Sequence, residues 1–275
     1  MEYLAYHFTV SPPQPGSEII MALIADDGFE TFDNTENGFV AYIQEDLAIN
    51  INLEELKFDD FKYQYKIEKI PKKNWNAEWE KNFEPVKVDD LLLIRAPFHL
   101  SEKNVKQEIV IMPKMSFGTG HHQTTQLMCA AMFEIDMKSK RVLDMGCGTG
   151  VLAILAVKLG ATDVLGIDID AWSVENSIEN CSNNNCAQIV LKQGDVDLLK
   201  EESRFDIILA NINKNILKSQ LQAYSSKLKT GGKLFLSGFF KTDVNELAAV
   251  AKALNLNLIN QKSKEEWAMM LLEKV

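Results

Sequence analysis

The stretch Asp144-Met145-Gly146-Cys147-Gly148-Thr149-Gly150 follows the apolar pair Val142-Leu143 and precedes a second apolar run, Val151–Val157. It reads as a strand ending on an acid, a tight turn with three glycines, and a helix start. Glycine suits such a turn because a side chain would block it and keep a ligand off the backbone. The first N–H groups of the helix have no partner within it and face whatever binds there. A strand–loop–helix of this kind takes a nucleoside cofactor, so the chain reads as an enzyme.

Outward from this loop, strand and helix signals alternate. Strands are expected at Val142–Met145, Val164–Asp168, Ile189–Lys192, Phe205–Ala210 and Lys233–Ser237, with late strands at Leu256–Ile259 and Glu266–Leu272. Helices fit at Val151–Leu159, Ala171–Asn180, Asn215–Lys227 and Thr242–Leu254. Upstream, Leu91–Ala96 and Ile109–Met112 look like strands and Thr124–Phe133 like a helix. Such alternation predicts an α/β fold, a mainly parallel sheet covered by helices on both faces. Asn183-Asn184-Asn185 reads as a surface turn.

The first seventy residues follow a different pattern. Strands at Tyr3–Val10, Phe29–Phe32, Gly38–Gln44 and Tyr63–Ile70 and helices at Ser17–Asp26 and Leu53–Phe61 give the order β-α-β-β-α-β, a small ferredoxin-like α+β unit. Between the two regions, Trp75, Trp79 and Phe83 recur every fourth residue and share one face of a connecting helix. The expected division is residues 1–70, a linker over 71–85, and a catalytic domain over 86–275.

With 275 residues, 46% hydrophobic and 25% charged, the chain is an ordinary globular protein. No apolar run approaches membrane-spanning length, and Met1-Glu2-Tyr3 shows no basic start of a signal peptide. The four cysteines show no framework spacing, which points to reduced thiols and a cytoplasmic protein. A net charge of −10 argues against bulk nucleic-acid binding and suits either a basic protein substrate or an acidic surface kept for solubility.

In such a sheet a ligand sits outside the carboxyl ends of the strands, where their order reverses. Asp144, Gly146, Gly148 and Gly150 occupy that edge. Asp168 ends the next strand, where an acid for ribose hydroxyls belongs, and Asp195, after the third, is placed for an adenine amino group. Asp170 reads as the start signal of the following helix. Gly148-x-Gly150-x-x-Ala153 also satisfies the looser dinucleotide pattern, which keeps an NAD-dependent dehydrogenase open. Electrostatics separates the two: a carboxylate at Asp144 repels a pyrophosphate and suits the cationic methionine moiety of S-adenosylmethionine (AdoMet). Asn211 ends the buried strand Phe205–Ala210 over the same edge. Its amide oxygen can accept the N–H of an amine nucleophile and aim the lone pair at a methyl carbon, and it can also cap the following helix.

Ser116-Phe117-Gly118-Thr119-Gly120-His121-His122-Gln123-Thr124-Thr125 lies upstream of the glycine turn. With Asp144–Gly150, Gly166–Asp170, Ala210-Asn211-Ile212, Leu236-Ser237-Gly238 and Glu265-Glu266-Trp267, it resembles the PrmA family, over about residues 75–275. Members of that family methylate ribosomal large-subunit protein eleven. The resemblance implies a class I methyltransferase domain, AdoMet as cofactor, and an N-terminal domain that binds the substrate protein and swings on a flexible linker. It also implies multiple methylation of α-amine and lysine ε-amines by a monomer. By motif, cofactor contacts fall on Thr125, Gly146, Asp168 and Asn211, with Phe117 and Thr119 in the covering loop. His121 and His122 are expected to order that loop or touch substrate rather than bind metal, and Cys147 to pack. Asn213-Lys214 departs from the small or apolar residues usual in the family after Ala-Asn-Ile. Other readings are methylation of a different protein or small-molecule amine, or a non-catalytic AdoMet- or ribosome-binding module.

Overall fold

A computed structural model of the chain describes residues 2–53, 56–70, 80, 82–102 and 104–275. The chain divides into two units, residues 1–82 and 83–275. Most of the segment expected to link them, including Trp75 and Trp79, lies outside the described residues.

In the first unit four antiparallel strands, β1 (Tyr3–Ser11), β2 (Phe29–Thr35), β3 (Gly38–Gln44) and β4 (Lys62–Ile70), lie in the order β2-β3-β1-β4. This is the expected ferredoxin-like strand order. Helix α1 (Pro13–Ile24) turns Ile20 and Ile24 onto the sheet, where they meet Phe8, Val10, Phe39 and Ile43. The helix expected over Leu53–Phe61 is not found among the described residues, where 56–58 are irregular and 59–60 form a bend. Tertiary contacts override the local signal. The Tyr63 hydroxyl donates to the carbonyls of Leu53 and Leu56, and Phe58 stacks on Phe61 at 4.3 Å. One short-turn bond, from the Leu56 N–H to the Leu53 carbonyl at 3.3 Å, is present, and beyond it the described residues are held by the Tyr63 hydroxyl and the aromatic rings.

The second unit opens with a small sheet, β5 (Val86–Val88), β6 (Leu92–Arg95) and β7 (Gln107–Val110). The main sheet comprises β8 (Arg141–Met145), β9 (Asp163–Asp168), β10 (Val190–Gln193), β11 (Phe205–Asn211), β12 (Leu228–Phe240), β13 (Leu256–Lys264) and β14 (Trp267–Lys274). Their order is β10-β9-β8-β11-β12-β14-β13, with β8 to β12 parallel and the last two strands antiparallel to their neighbours. Helices α2 (Gln123–Met132), α3 (Val151–Lys158), α4 (Ala171–Asn183), α5 (Lys214–Lys227) and α6 (Val244–Ala253) connect and cover them.

Alternate residues of a strand face opposite sides, and both sides here are apolar. Val142, Ile207 and Leu209 enter one core, and Leu143, Ile208 and Ala210 the other. The turn expected at Asn183–Asn185 is present, with Asn183 and Asn185 exposed, but Asn184 is buried: its amide donates to the Val110 carbonyl at 2.6 Å and accepts the Val110 N–H at 2.8 Å. Asn180, one turn earlier, accepts the Met112 N–H at 2.8 Å. These amides, in the last turn of α4 and at its C-terminal cap, take up backbone groups of Val110 and Met112. Among the described residues no helix is long and apolar enough to cross a membrane.

Candidate functional site

From β8 the chain moves outward to β9 and β10, then returns to β11 on the other side of β8. The strand order therefore reverses between β8 and β11, and loops leaving those strand ends must diverge and open a crevice. A cavity of about 350 Å³ lies there, lined among others by Phe117, Gly146, Gly148, Asp168, Asp195 and Asn211. Six of the ten sequence-predicted residues thus share one cavity.

The glycine turn is built as its composition requires. Gly146, Gly148 and Gly150 have φ of 72°, 56° and 78°. A Cβ on Gly146 would lie 2.3 Å from Ile212 Cγ2, and one on Gly148 2.2 Å from the Phe117 carbonyl oxygen. The Gly148 contact is with backbone, so that position needs glycine for space as well as for conformation, whereas at Gly146 the Ile212 side chain would have to shift and the positive φ is the firmer demand. Gly150 is the N-cap residue of α3 and does not line the cavity.

Asp168 is 9% exposed. Its Oδ2 accepts the Gly148 N–H at 2.8 Å and its Oδ1 the Asp170 N–H at 3.1 Å. A carboxylate has about four lone-pair sites, so both oxygens keep acceptor capacity for hydroxyls. Asp195 caps a short turn by accepting the Asp197 N–H at 2.9 Å, and Asp170 stands at the N-cap of α4 without a side-chain cap bond. Asn211 does not cap the next helix. Asn213 does, accepting the Ile216 N–H at 3.1 Å, and Lys214 pairs with Asp243 at 2.8 Å. Asn211 is left to the cavity, with Nδ2 donating to Thr125 Oγ1 at 3.5 Å and a buried Oδ1 that has no partner among the described residues.

Thr125 is fully buried, behind Asn211 rather than on the cavity wall. Thr119 lies outside it as well, with Oγ1 3.1 Å from His121 Nδ1. His122 caps α2, its Nδ1 accepting the Thr124 N–H at 3.2 Å, and His121 Nε2 lies 3.0 Å from the Glu84 carbonyl oxygen. Both histidines order the loop. Cys147 is buried against Ser177, and burial pushes its thiol well above the usual range.

Asp144 is 1% exposed and sits behind the turn, not on the cavity wall. Its Oδ2 accepts the Ala153 N–H at 3.0 Å, and its Oδ1 has no partner among the described residues. Burial, with the nearby charge of Asp168 adding to it, pushes its pKa up to about 7. The folded protein then binds a proton that the unfolded chain releases near pH 4. Stability is greatest below the unfolded value and falls as pH rises through the folded one. Asp144→Asn removes the titration, so the fall in thermal midpoint from about pH 5 to about pH 8 should flatten relative to wild type. An unchanged slope in a melting series would refute the assignment.

Reasoning from sequence missed the apolar rim: Met115, Ile169, Trp172 and Ile216 line the cavity while 42–83% exposed. The available signal was two large apolar residues, Ile169 and Trp172, directly beyond the acid that ends β9. Exposed apolar groups on a concave wall mark a ligand surface. The site fits AdoMet: the backbone approach is clear of side chains, a carboxylate with spare acceptor sites lies beside it, and an orphaned amide oxygen stands at the wall.

The model of the ribosomal protein L11 methyltransferase (PrmA) family matches residues 26–275. The ribosomal protein L11 methyltransferase of Porphyromonas gingivalis is 42% identical, over 98% of this chain and 97% of that protein. That of Phocaeicola vulgatus is 40% identical over 98% of each. A crystal structure of ribosomal protein L11 methylase from Lactobacillus delbrueckii subsp. bulgaricus aligns with a TM-score of 0.65 at 26% identity, covering 70% of this chain and all of that one. A family match over most of the length, joined to a methyltransferase-type glycine turn, places the chain: it belongs to the ribosomal protein L11 methyltransferase (PrmA) family.

Proposed function

We propose that the protein transfers methyl groups from AdoMet to amines of ribosomal protein L11, both the α-amine and lysine ε-amines. The observation that carries the reading is the buried Oδ1 of Asn211, which has no partner among the described residues, on the wall of the cofactor cavity. When bound, AdoMet supplies an electrophilic methyl group on a sulfonium sulfur. Gly146 and Gly148 let the backbone approach it, and Asp168 accepts from its ribose hydroxyls. Asp195 reaches the adenine amino group, and Phe117 covers the pocket. Asp144 and Gly150 act from behind, shaping the turn at the start of α3.

Asn211 Oδ1 accepts one N–H of a neutral amine and points its lone pair at the methyl carbon, while Thr125 holds the other end of the amide. An unsatisfied buried acceptor costs roughly 1–3 kcal/mol, and the incoming N–H removes that cost. The chain contributes orientation and exclusion of water, and the proton released after transfer goes to solvent. The first unit recruits the protein substrate. The enzyme works as a cytoplasmic monomer and needs no nucleic acid.

Labelled AdoMet incubated with undermethylated ribosomal proteins should label L11 alone, with mass mapping locating the modified amines. Label in another band would reassign the substrate, and no label would remove the activity. Deleting residues 1–82 should abolish labelling yet leave AdoMet affinity intact by calorimetry; retained labelling would remove the recruiting role.

A further inference from the structure

Four rings form a continuous row beginning at the cavity. Phe117 lines it and lies 5.3 Å, centroid to centroid, from His122. His122 meets Trp267 edge-on at 4.6 Å, and Trp267 lies 4.5 Å from Phe240. The row begins close to Asn211: the Thr125 N–H donates to the His122 carbonyl at 3.1 Å, and Thr125 Oγ1 takes the Asn211 amide. A second cavity of about 490 Å³ adjoins the first, sharing Phe117 and lined also by Thr119, His121 and His122.

The row is held from several sides. Trp267 opens β14 just past a tight turn in which Glu265 has φ 53°. Gln123 Nε2 donates to Glu265 Oε2 at 2.6 Å, tying that turn to the start of α2. Lys241 pairs with Glu266 at 2.8 Å, holding β12 to the same turn. His122 Nδ1 lies 3.2 Å from the Thr124 N and 2.8 Å from its Oγ1, an arrangement that a neutral ring satisfies. Burial, which lowers its pKa, favours the same state.

We propose that this aromatic row binds the N-methylated ammonium left by each transfer and keeps it at the site for the next, so that it sets how many methyl groups one amine receives. The inference rests on the amine-methylation reading above. In each transfer the C–S bond breaks and an N–C bond forms. Sulfur leaves as a neutral thioether, nitrogen takes the positive charge, and one N–H proton passes to water before the next attack. Every methyl group replaces an N–H, so Asn211 Oδ1 has fewer donors to hold. The methylated cation is also less hydrated, and ring faces attract such cations better as their hydration falls. The neutral state of His122 matters here, since an imidazolium would repel the ammonium.

The test uses the full-length protein with undermethylated L11, comparing Trp267→Leu, Trp267→Phe and Phe240→Leu with wild type. Mass spectrometry follows the mono-, di- and trimethylated products with time, and calorimetry follows AdoMet. In Trp267→Leu the first transfer should stay within about threefold of wild type while later transfers slow by about tenfold, a ratio in the range of one cation–π contact. Trp267→Phe should restore most of that loss, Phe240→Leu should show a smaller one, and AdoMet affinity should hold in all three. Equal slowing of every transfer, or an unchanged product distribution in both leucine variants, would overturn the proposal. Wild-type protein that labels no L11 amine would sink the function reading itself, a failure visible before any variant is made.

Discussion

Asn211→Ala should lower kcat for methyl transfer by about a hundredfold or more while AdoMet affinity changes only a few-fold. Truncation removes the Oδ1 acceptor on the cavity wall and frees the Thr125 hydroxyl that carries Nδ2. The amine can still enter, but its lone pair is no longer aimed, and a displacement of about 1 Å at the reacting atoms can cost a hundredfold. Because Oδ1 has no partner among the described residues, its loss exposes none of their buried groups at that end, so the effect falls on orientation rather than on folding. Single-turnover kinetics with saturating AdoMet separates the two quantities. A kcat within threefold of wild type would remove Asn211 from the methyl-transfer step.

Asp168→Ala should raise the AdoMet Kd by about a hundredfold to a thousandfold, from losing hydrogen bonds to a charged acceptor worth roughly 1.5–3 kcal/mol each. The carboxylate has two duties. It presents acceptor sites to the ribose, and it ties the glycine turn to the start of α4 through the Gly148 and Asp170 N–H groups. Alanine removes both, leaving two backbone donors without their partner and loosening the turn that must meet the cofactor. Asp168→Asn keeps one oxygen but sets an amide N–H₂ against a backbone N–H, and should recover little. Calorimetric titration is the measurement, and an unchanged Kd would refute the role.

Much of this architecture was legible beforehand because its causes are local. Apolar runs at strand length ended by Gly, Asp or Asn located β8, β9 and β11 within one residue at each end. The run Val151–Val157 had to be a helix buried on nearly all sides, since it is apolar all round and follows a glycine turn. Where local signals competed with distant partners, the reading failed. Leu53–Phe61 carries a helical spacing that Tyr63 and the Phe58–Phe61 stack override. In the turn at Asn183-Asn184-Asn185 the outer two residues are exposed as expected, and only Asn184 departs, buried because Val110, 74 residues away in sequence, needs both of its bonds. The three residues of β5 are too few to show a period.

By itself, the sequence determined a nucleoside-cofactor turn and placed Asp144, Asp168 and Asn211 on their strands, because a glycine turn and a polar residue at a strand end are set by backbone sterics and charge within a few residues. Only the tertiary structure decided which candidates share a wall. Asp144 lies behind the turn, with its second oxygen unpartnered among the described residues and its proton affinity raised. Thr125 stands behind Asn211, and Asn213 takes the capping duty that leaves Asn211 to the cavity. These outcomes depend on β11 lying beside β8, a pairing between residues more than sixty apart in sequence. Burial and the loss of a hydrogen-bond partner are properties of that pairing, and no local pattern encodes them.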